Sequence, residues 1–578
     1  MLIGLVPLTA QTNTEREKKL DQIIDFMDHF DLIGQVRVRP EKKSNYDFDK
    51  HGNSCSNGVC SRTADEAEFI GQKVQVGFDF VDDGIKARVL LQDSRVWGGE
   101  TGSPTGLNTA NSSTNQSTDV REAWLEFGGQ SLQLQAGRQI LAYGDQRLVG
   151  HLDWTNVGRS FDALRLKYSS DFFDSHLWAA ALAEEDSDSA GNNTSSTIKD
   201  AWFTGWYNTI KPGQDLHIEA YLLGKHLSWQ QATNSNMNPT VALQNGLVPL
   251  IQSDNRTRDQ DNLFTLGSRI TNRTHKGKAA GHLDWTVEYA AQGGQSGRHI
   301  AADWDTAQVV VPLPNTIAGL YDATYNPCRV YGTNTAAGQS GCRAYLSKEE
   351  YDAWAAAANA GYKIDPNFRL GAEVAVASGD PNRNDSKVAT FHNLFHTNHL
   401  HYGQADFVSW QNMIAKSVNL TWELGDFGSL YVAYWHVKKH RLQDDWYKVT
   451  GGGASGATHT TTESAANSKY GSTYNSNGTI NSLGVAYLGE HLFDEYDLRY
   501  TIKSWGVEFQ LGYSLVLAGD AVRKYKDNRL VKDQLWLQTV LADIQDGQIN
   551  NPAAFLAWSE QSFDPRAQFA YIQMTYKF

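Results

Sequence analysis

From Leu32 onward the chain repeats with period two. Val74, Val76, Phe78 and Phe80 share one side of their segment, and Lys73, Gln75, Gly77 and Asp79 occupy the other. Ile85, Ala87, Val89 and Leu91 alternate in the same way with Lys86, Arg88 and Gln92. Leu164, Leu166 and Tyr168 alternate with Arg165 and Lys167, and Val507, Phe509 and Leu511 with Glu508 and Gln510. A helix would repeat every ~3.6 residues, so these segments read as strands with one apolar and one polar face.

The connections constrain the fold further. Short polar turns such as VDDG, GGQ, KPG and GDFG join strand pairs at 69–81 with 85–97, 119–127 with 131–143, 161–169 with 174–184, and 198–210 with 214–226. Further pairs fall at 261–272 with 281–291, 350–361 with 366–377, 414–424 with 428–440, and 490–503 with 505–517. The pattern at 350–361 is weak, and a helix is its other reading. Between pairs lie long polar connections at 40–68, 98–118, 144–160, 185–197, 227–260, 292–349, 378–413, 441–489 and 518–567. A first strand at 31–39 and a last at 568–578 bring the expected count to about eighteen.

Short turns on one side and long loops on the other are the asymmetry of outer-membrane barrels, which a globular sandwich does not require. The expected fold is therefore all-β: one transmembrane antiparallel β-barrel over 31–578, with short periplasmic turns and long extracellular loops. The cell outer membrane of a Gram-negative bacterium is its expected location. Mean hydropathy is −0.48 and no apolar run approaches a membrane helix, but alternating strands escape such a scan. Aromatics make up 11 % of the chain and would supply the interfacial girdles. The terminal FAYIQMTYKF alternates through Ala570, Ile572, Met574 and Tyr576 to end on Phe578, like a terminal strand read by the barrel insertion machinery. At the other end, MLIGLVPLTAQT within 1–13 reads as a signal-peptide remnant lacking a basic start, or as an ordered leader. Residues 14–30, with Leu20, Ile23, Ile24 and Met27 at helical spacing, read as a periplasmic helix.

A formal charge of −14, from 51 basic and 65 acidic residues, argues against a nucleic-acid partner. The four cysteines form two local pairs in polar loops, Cys55 with Cys60 and Cys328 with Cys342, for which disulfides are the natural reading and zinc the other. No catalytic or phosphate-binding motif appears in a strand-to-helix context.

The cations carry the functional argument. Alternation puts Arg37, Arg39, Lys86, Arg88, Arg165, Lys167, Arg269, Arg369, Arg499 and Lys503 opposite the apolar face. A cation facing lipid near the midplane would cost about 2–4 kcal/mol, so these belong in the lumen. Eighteen strands enclose an aqueous channel, and guanidinium groups lining it select anions and grip carboxylates. The other reading pairs them with inward acids such as Glu122, Glu126, Asp284, Glu288, Glu373 and Glu508, stiffening the wall; the two readings are compatible. Arg138 shares the parity of Leu132 and Leu134, so it faces outward unless the strand bulges near Gly137 or Arg138 sits at the rim. Arg147 and Arg159 belong to the 144–160 connection, whose Gly, Asp and Trp suit an ordered loop tucked into the mouth.

GRQILAYGDQRLVGHLDWTNVGRSFDALRLKY at 137–168 resembles the signature hairpin of the alginate export family of outer-membrane barrels. LQDSRVWG at 91–98 resembles that family's preceding strand end, and 378–412, with its TNH–YG core, resembles its long loop. The resemblance implies an 18-stranded barrel with an arginine-rich constriction that passes an anionic polyuronate. By motif match it carries Arg138, Arg147, Arg159 and Arg165, with Asp145, Asp153 and Asp162, into the substrate path. There are departures. The loops with the cysteines are additions, and His392 and His396 stand where the family more often has an acidic residue and a proline.

His392, His396, His399 and His401, or Asp380 and Asp385, invite a metal reading, but neither set has a defined ligand pattern, and no metal or cofactor is expected. The expected function is passive export of an anionic polysaccharide, with uptake of oligouronates or other organic anions as the alternative. A barrel enzyme is the reading from another class; His151 and Asp153 near Ser160 belong to the family-like loop, and no enzyme activity is expected. Expected partners are the polysaccharide or oligouronate, outer-membrane lipid and periplasmic export components, with the barrel a monomer.

Overall fold

The computed structural model describes residues 29–46, 48, 66–97, 116–183, 198–213, 215–229, 261–273, 282–301, 345–381, 387–442, 444, 446–448, 490–522 and 564–578, with short strand fragments at 54–56, 59–61, 458–459, 473–474 and 480–482. The expected leader and all but the end of the expected helix lie outside these residues.

Eighteen long strands follow one another around a closed wall. The first six are β1 (Phe30–Ser44), β2 (Glu66–Asp82), β3 (Ile85–Val96), β4 (Gln116–Gly128), β5 (Leu132–Gln139) and β6 (Phe161–Ser169). Next come β7 (Phe173–Ala183), β8 (Ile198–Gly213), β9 (Leu216–Trp229), β10 (Asp261–Thr271), β11 (Leu283–Ala301) and β12 (Tyr345–Asp365). The last six are β13 (Phe368–Ala377), β14 (Met413–Glu423), β15 (Ser429–Lys439), β16 (His491–Ser504), β17 (Val507–Ala518) and β18 (Arg566–Lys577). Each pairs antiparallel with its neighbours, and β1 closes the cylinder on β18 with Val36 opposite Tyr576 and Val38 opposite Met574. Closure leaves no open edge. At the seam Gly34 exchanges two backbone hydrogen bonds with Phe578 (2.9 and 3.1 Å), and a Cβ on Gly34 would lie 2.5 Å from the Phe578 ring.

The alternation has its expected result. Leu32, Val76, Phe78, Leu125, Leu164, Leu266, Leu370, Leu511 and Ile572 are exposed on the outer face, while Gln35, Arg37, Arg39 and Glu41 of β1 are buried inside. The weakly patterned 350–361 is part of strand β12, not a helix, because it keeps an unbroken register with β13 from Ala355–Ala377 to Lys363–Arg369. Its alanines would favour a helix alone, but pairing on both edges overrides that preference. Ala353, Ala355 and Ala357 face inward and join Ala375, Ala377 and Ala415 as a patch of small side chains.

That patch makes room for two connections that turn into the barrel. Residues 140–160, between β5 and β6, and 378–412, between β13 and β14, meet through a parallel bridge, Val149 with Phe395. Leu141, Leu148, Phe391, Phe395, Phe407 and Trp410 are buried between these connections and the wall, so the core sits inside the mouth at the long-loop end.

Candidate functional site

Each inserted connection is fixed by its own backbone first. Gln146 and Leu152 take left-handed conformations (φ 59° and 51°), and the Arg159 amide donates to the His151 carbonyl at 2.8 Å. The two loops then cross-link: the Gly150 amide donates to the Phe395 carbonyl (2.8 Å), the Phe395 amide to Leu148 (2.8 Å), and the Thr397 amide to Gln146 (2.9 Å).

Cations from the wall hold the first loop. Arg37 of β1 donates to the carbonyls of Asp153 and Thr155 at 2.7 and 2.8 Å, and Arg39 to that of Trp154 at 2.7 Å. Lys73 of β2, 1 % exposed, reaches the Asp153 carboxylate at 2.7 Å. Arg269 of β10 bridges Asp145 (2.5 Å) and Glu219 of β9 (2.7 Å). Arg147 works in the opposite direction, from loop to wall. It donates to Glu373 of β13 and to the Tyr402 hydroxyl, both at 2.7 Å, with Glu288 of β11 at 3.7 Å. Charges this far from water need such partners, since an unpaired buried charge costs several kcal/mol. Trp154 is clamped between Arg39, 3.7 Å above its ring, and His399, stacked at 3.6 Å.

A second set of cations lines the wall toward the short turns. Arg88 grips Asp79 at 2.6 and 2.7 Å, Arg369 grips Asp284 at 2.6 and 2.7 Å, and Lys86 lies 3.6 Å from Glu126. Lys167 also bonds Glu126, and Arg273 joins Arg369 on Asp284. Lys503 pairs with Glu508 at 3.5 Å beside the last short turn. Arg165 donates to the neutral Gln135 amide oxygen, and Arg499 lies over the Tyr431 ring at 4.8 Å.

Two residues expected in the substrate path are elsewhere. Arg138 and Asp162 are direct neighbours across β5 and β6, paired at 3.0 Å on the outer face and 38 % and 61 % exposed. No register shift occurs near Gly137, so simple alternation prevails. A bulge does occur one strand earlier. Leu90 pairs with Glu122 but Leu91 with Val120, which leaves Arg121 as the extra residue. Arg121 is 5 % exposed and donates to Ser160 Oγ and the His151 carbonyl, both at 3.1 Å. Strict period-two counting misses it for that reason. Lys73 lies on the polar face that alternation gives it, but nothing in the sequence marks it as a loop anchor, nor Lys225, which approaches His392 Nε2 at 3.3 Å.

The loop histidines do not converge. His392 Nε2 meets Lys225 at 3.3 Å and its amide donates to Gln292 at 2.7 Å, His396 Nδ1 bonds the Asn393 carbonyl at 2.7 Å, His399 pairs with Asp406 at 3.1 Å, and His401 Nε2 bonds the Asp145 carbonyl at 2.8 Å. Burial, then the charge of Arg159, pushes His396 down to about 3; burial, then Arg147, pushes His401 down to about 4. The Asp380 amide donates to the Asp444 carboxylate at 2.8 Å, and Asp385 lies outside the described residues. In the fragments at 54–56 and 59–61 the register sets Cys55 opposite Cys60, while Cys328 and Cys342 lie outside the described residues.

Among solved structures, Pseudomonas aeruginosa OpdQ is similar at 9 % identity, with 96 % of this chain and 99 % of that chain covered and a TM-score of 0.44. OpdK from the same organism, solved with vanillate, is similar at 7 % identity over 95 % and 98 %, with a TM-score of 0.47. Acinetobacter baumannii OccAB1 is similar at 9 % identity over 96 % and 98 %, with a TM-score of 0.47. No curated protein matches by sequence. The sequence profile described as alginate export matches residues 30–533, from the first barrel strand to beyond the seventeenth. The chain belongs to the alginate export family, and it is a channel of the Gram-negative outer membrane rather than an enzyme.

Proposed function

We propose that this barrel is a passive, anion-selective export channel for an alginate-type polyuronate, and that arginines lining its lumen steer the polymer. One observation carries the reading. Arg121, Arg159, Arg165 and Arg499 lie inside the barrel, and none has a carboxylate partner among the described residues. Among the described residues Arg159 donates to the carbonyls of Gly150 (3.2 Å) and His396 (3.1 Å), and burial followed by the charge of Arg121 disfavours its cation. A passing carboxylate relieves that cost, and a guanidinium accepts it bidentately.

The paired cations have a different part. Arg147, Arg269 and Lys73 keep the two inserted loops in the mouth, which narrows the path to the unpaired set. Contacts of this kind are weak and repeated, so the polymer slides without being trapped. Direction comes from the concentration gradient or from periplasmic export components. The proposed barrel is monomeric, with a Cys55–Cys60 disulfide bracing an outer loop.

The test is single-channel recording in a planar bilayer, with reversal potential under a salt gradient and then added polymannuronate. Anion selectivity with polymer block, weakened in Arg165→Gln and Arg499→Gln, supports the reading. Cation selectivity, or a current indifferent to the polymer, removes polyuronate as the solute.

A further inference from the structure

A separate cluster lies on the outside of the wall. His436 of β15 and Asp494 of β16 face outward, with Nδ1 and Oδ1 2.9 Å apart, and His491 Nε2 lies 3.3 Å from the other carboxylate oxygen. The three candidate ligand atoms all lie within 4.8 Å of one another. The two imidazoles stack at 4.5 Å with 22° between their planes.

His491 is there because of a bulge. The register runs Val437 with Phe493 and then Lys438 with His491, so Leu492 is the extra residue. Leu492 and Phe493 are both buried, at 1 % and 0 %. Without the bulge His491, three positions before Asp494, would face the lumen. Bulges commonly re-aim one side chain beside a site. The re-aimed nitrogen, His491 Nε2, is shielded from water, and beyond its 3.3 Å approach to Asp494 it makes no hydrogen bond among the described residues. The Tyr434 hydroxyl donates to Asp494 Oδ1 at 2.8 Å and orients the carboxylate, as outer-shell donors do around metals.

We propose that His436, His491 and Asp494 bind a divalent cation of the zinc class at the extracellular rim, with a fourth position open to water. Tetrahedral zinc, with bonds of about 2.0–2.1 Å, sets its ligand atoms roughly 3.3 Å apart. The two imidazole nitrogens approach different oxygens of Asp494, at 2.9 and 3.3 Å, and one ligand atom from each residue lies within 4.8 Å of the other two, so a bound ion draws the three side chains inward. Two imidazoles with one carboxylate suit zinc, copper or nickel, whereas calcium takes six to eight oxygens. The ion ties β15 to β16 where the bulge interrupts their ladder, beside the long connection that follows β15. The outward Tyr434 and Tyr496, two positions deeper in each strand, put the cluster just above an aromatic belt.

The full chain, folded in detergent and stripped with chelator, is titrated with Zn²⁺ calorimetrically and with Co²⁺ by visible absorption. The expected result is one site with intense tetrahedral Co²⁺ bands. His436→Gln and Asp494→Asn are each expected to weaken binding on the order of tenfold or more, while His282→Gln at the opposite end leaves it unchanged. His436 lies in unbroken strand, and retained heat-modifiable migration on a gel establishes that both variants fold. Equal Zn²⁺ binding in wild type and the two variants, or a Co²⁺ spectrum without tetrahedral bands, overturns the proposal.

Discussion

Arg147 and Glu373 meet at 2.7 Å inside the barrel although 226 residues separate them in sequence. The contact joins the first inserted loop to β13, the strand from which the second loop departs. Removing the cation strands Glu373 and Glu288 without their shared partner, and breaking a buried pair on one side costs about 3–5 kcal/mol. Arg147→Met should therefore undock the loops while leaving the wall closed. Larger and noisier single-channel conductance, with unchanged heat-modifiable migration, is the expected outcome. A conductance identical to wild type would show that the pair does not hold the loops in place.

The Arg138–Asp162 pair makes the contrasting case. Both side chains are more than a third exposed and lie outside the lumen. Exposed pairs contribute about 0–1 kcal/mol. Arg138→Gln should leave anion selectivity and polymer block unchanged, while Arg165→Gln weakens block. Measuring both under one salt gradient separates a lumen role from a motif match, and equal losses would put Arg138 back in the path.

Why does alternation put Arg165 on the inner face and miss Arg121? Parity holds as long as the register is unbroken, and β6 pairs without a shift from Asp162 to Ser169. The bulge at Arg121 turns an outward position inward, and nothing in DVREAWLEF announces it. Strand number, turn positions and lumen parity are local properties, so they were legible. The partners of Arg37 and Arg147 are not, because they depend on where a loop lands across the barrel. The same limit applied to β12, whose alanines look helical until the loop packed on them is seen.

Trp154 should test whether the two loops act together. Its ring is held between Arg39 from the wall and His399 from the second loop. A partly desolvated cation–π contact contributes up to about 2 kcal/mol. Trp154→Ala removes that contact and the stacking in one step, whereas Trp154→Phe keeps a ring. Limited proteolysis of the folded protein should cut within 378–412 faster in the alanine variant and at the wild-type rate in the phenylalanine variant. Protection unchanged in both would mean that the loops are held independently.

Acid should open the mouth. His396 is 6 % exposed and is pushed down to about 3, against roughly 6.5 for a free imidazole. Above pH ~6.5 it is neutral whether the loops are docked or not, so it adds no pH dependence. As the pH falls below ~6.5 an undocked His396 takes up a proton that the docked one refuses. Docking then weakens by about 1.4 kcal/mol per pH unit until roughly pH 3, a loss of about 3 kcal/mol near pH 4.5. His401, pushed down to about 4, acts in the same direction. Conductance should rise as the extracellular side is taken from neutral to about pH 4.5. His396→Asn keeps a donor for the Asn393 carbonyl and cannot titrate, so its rise should be smaller. A pH response the same in both proteins would assign the opening to other groups and leave His396 a purely structural residue.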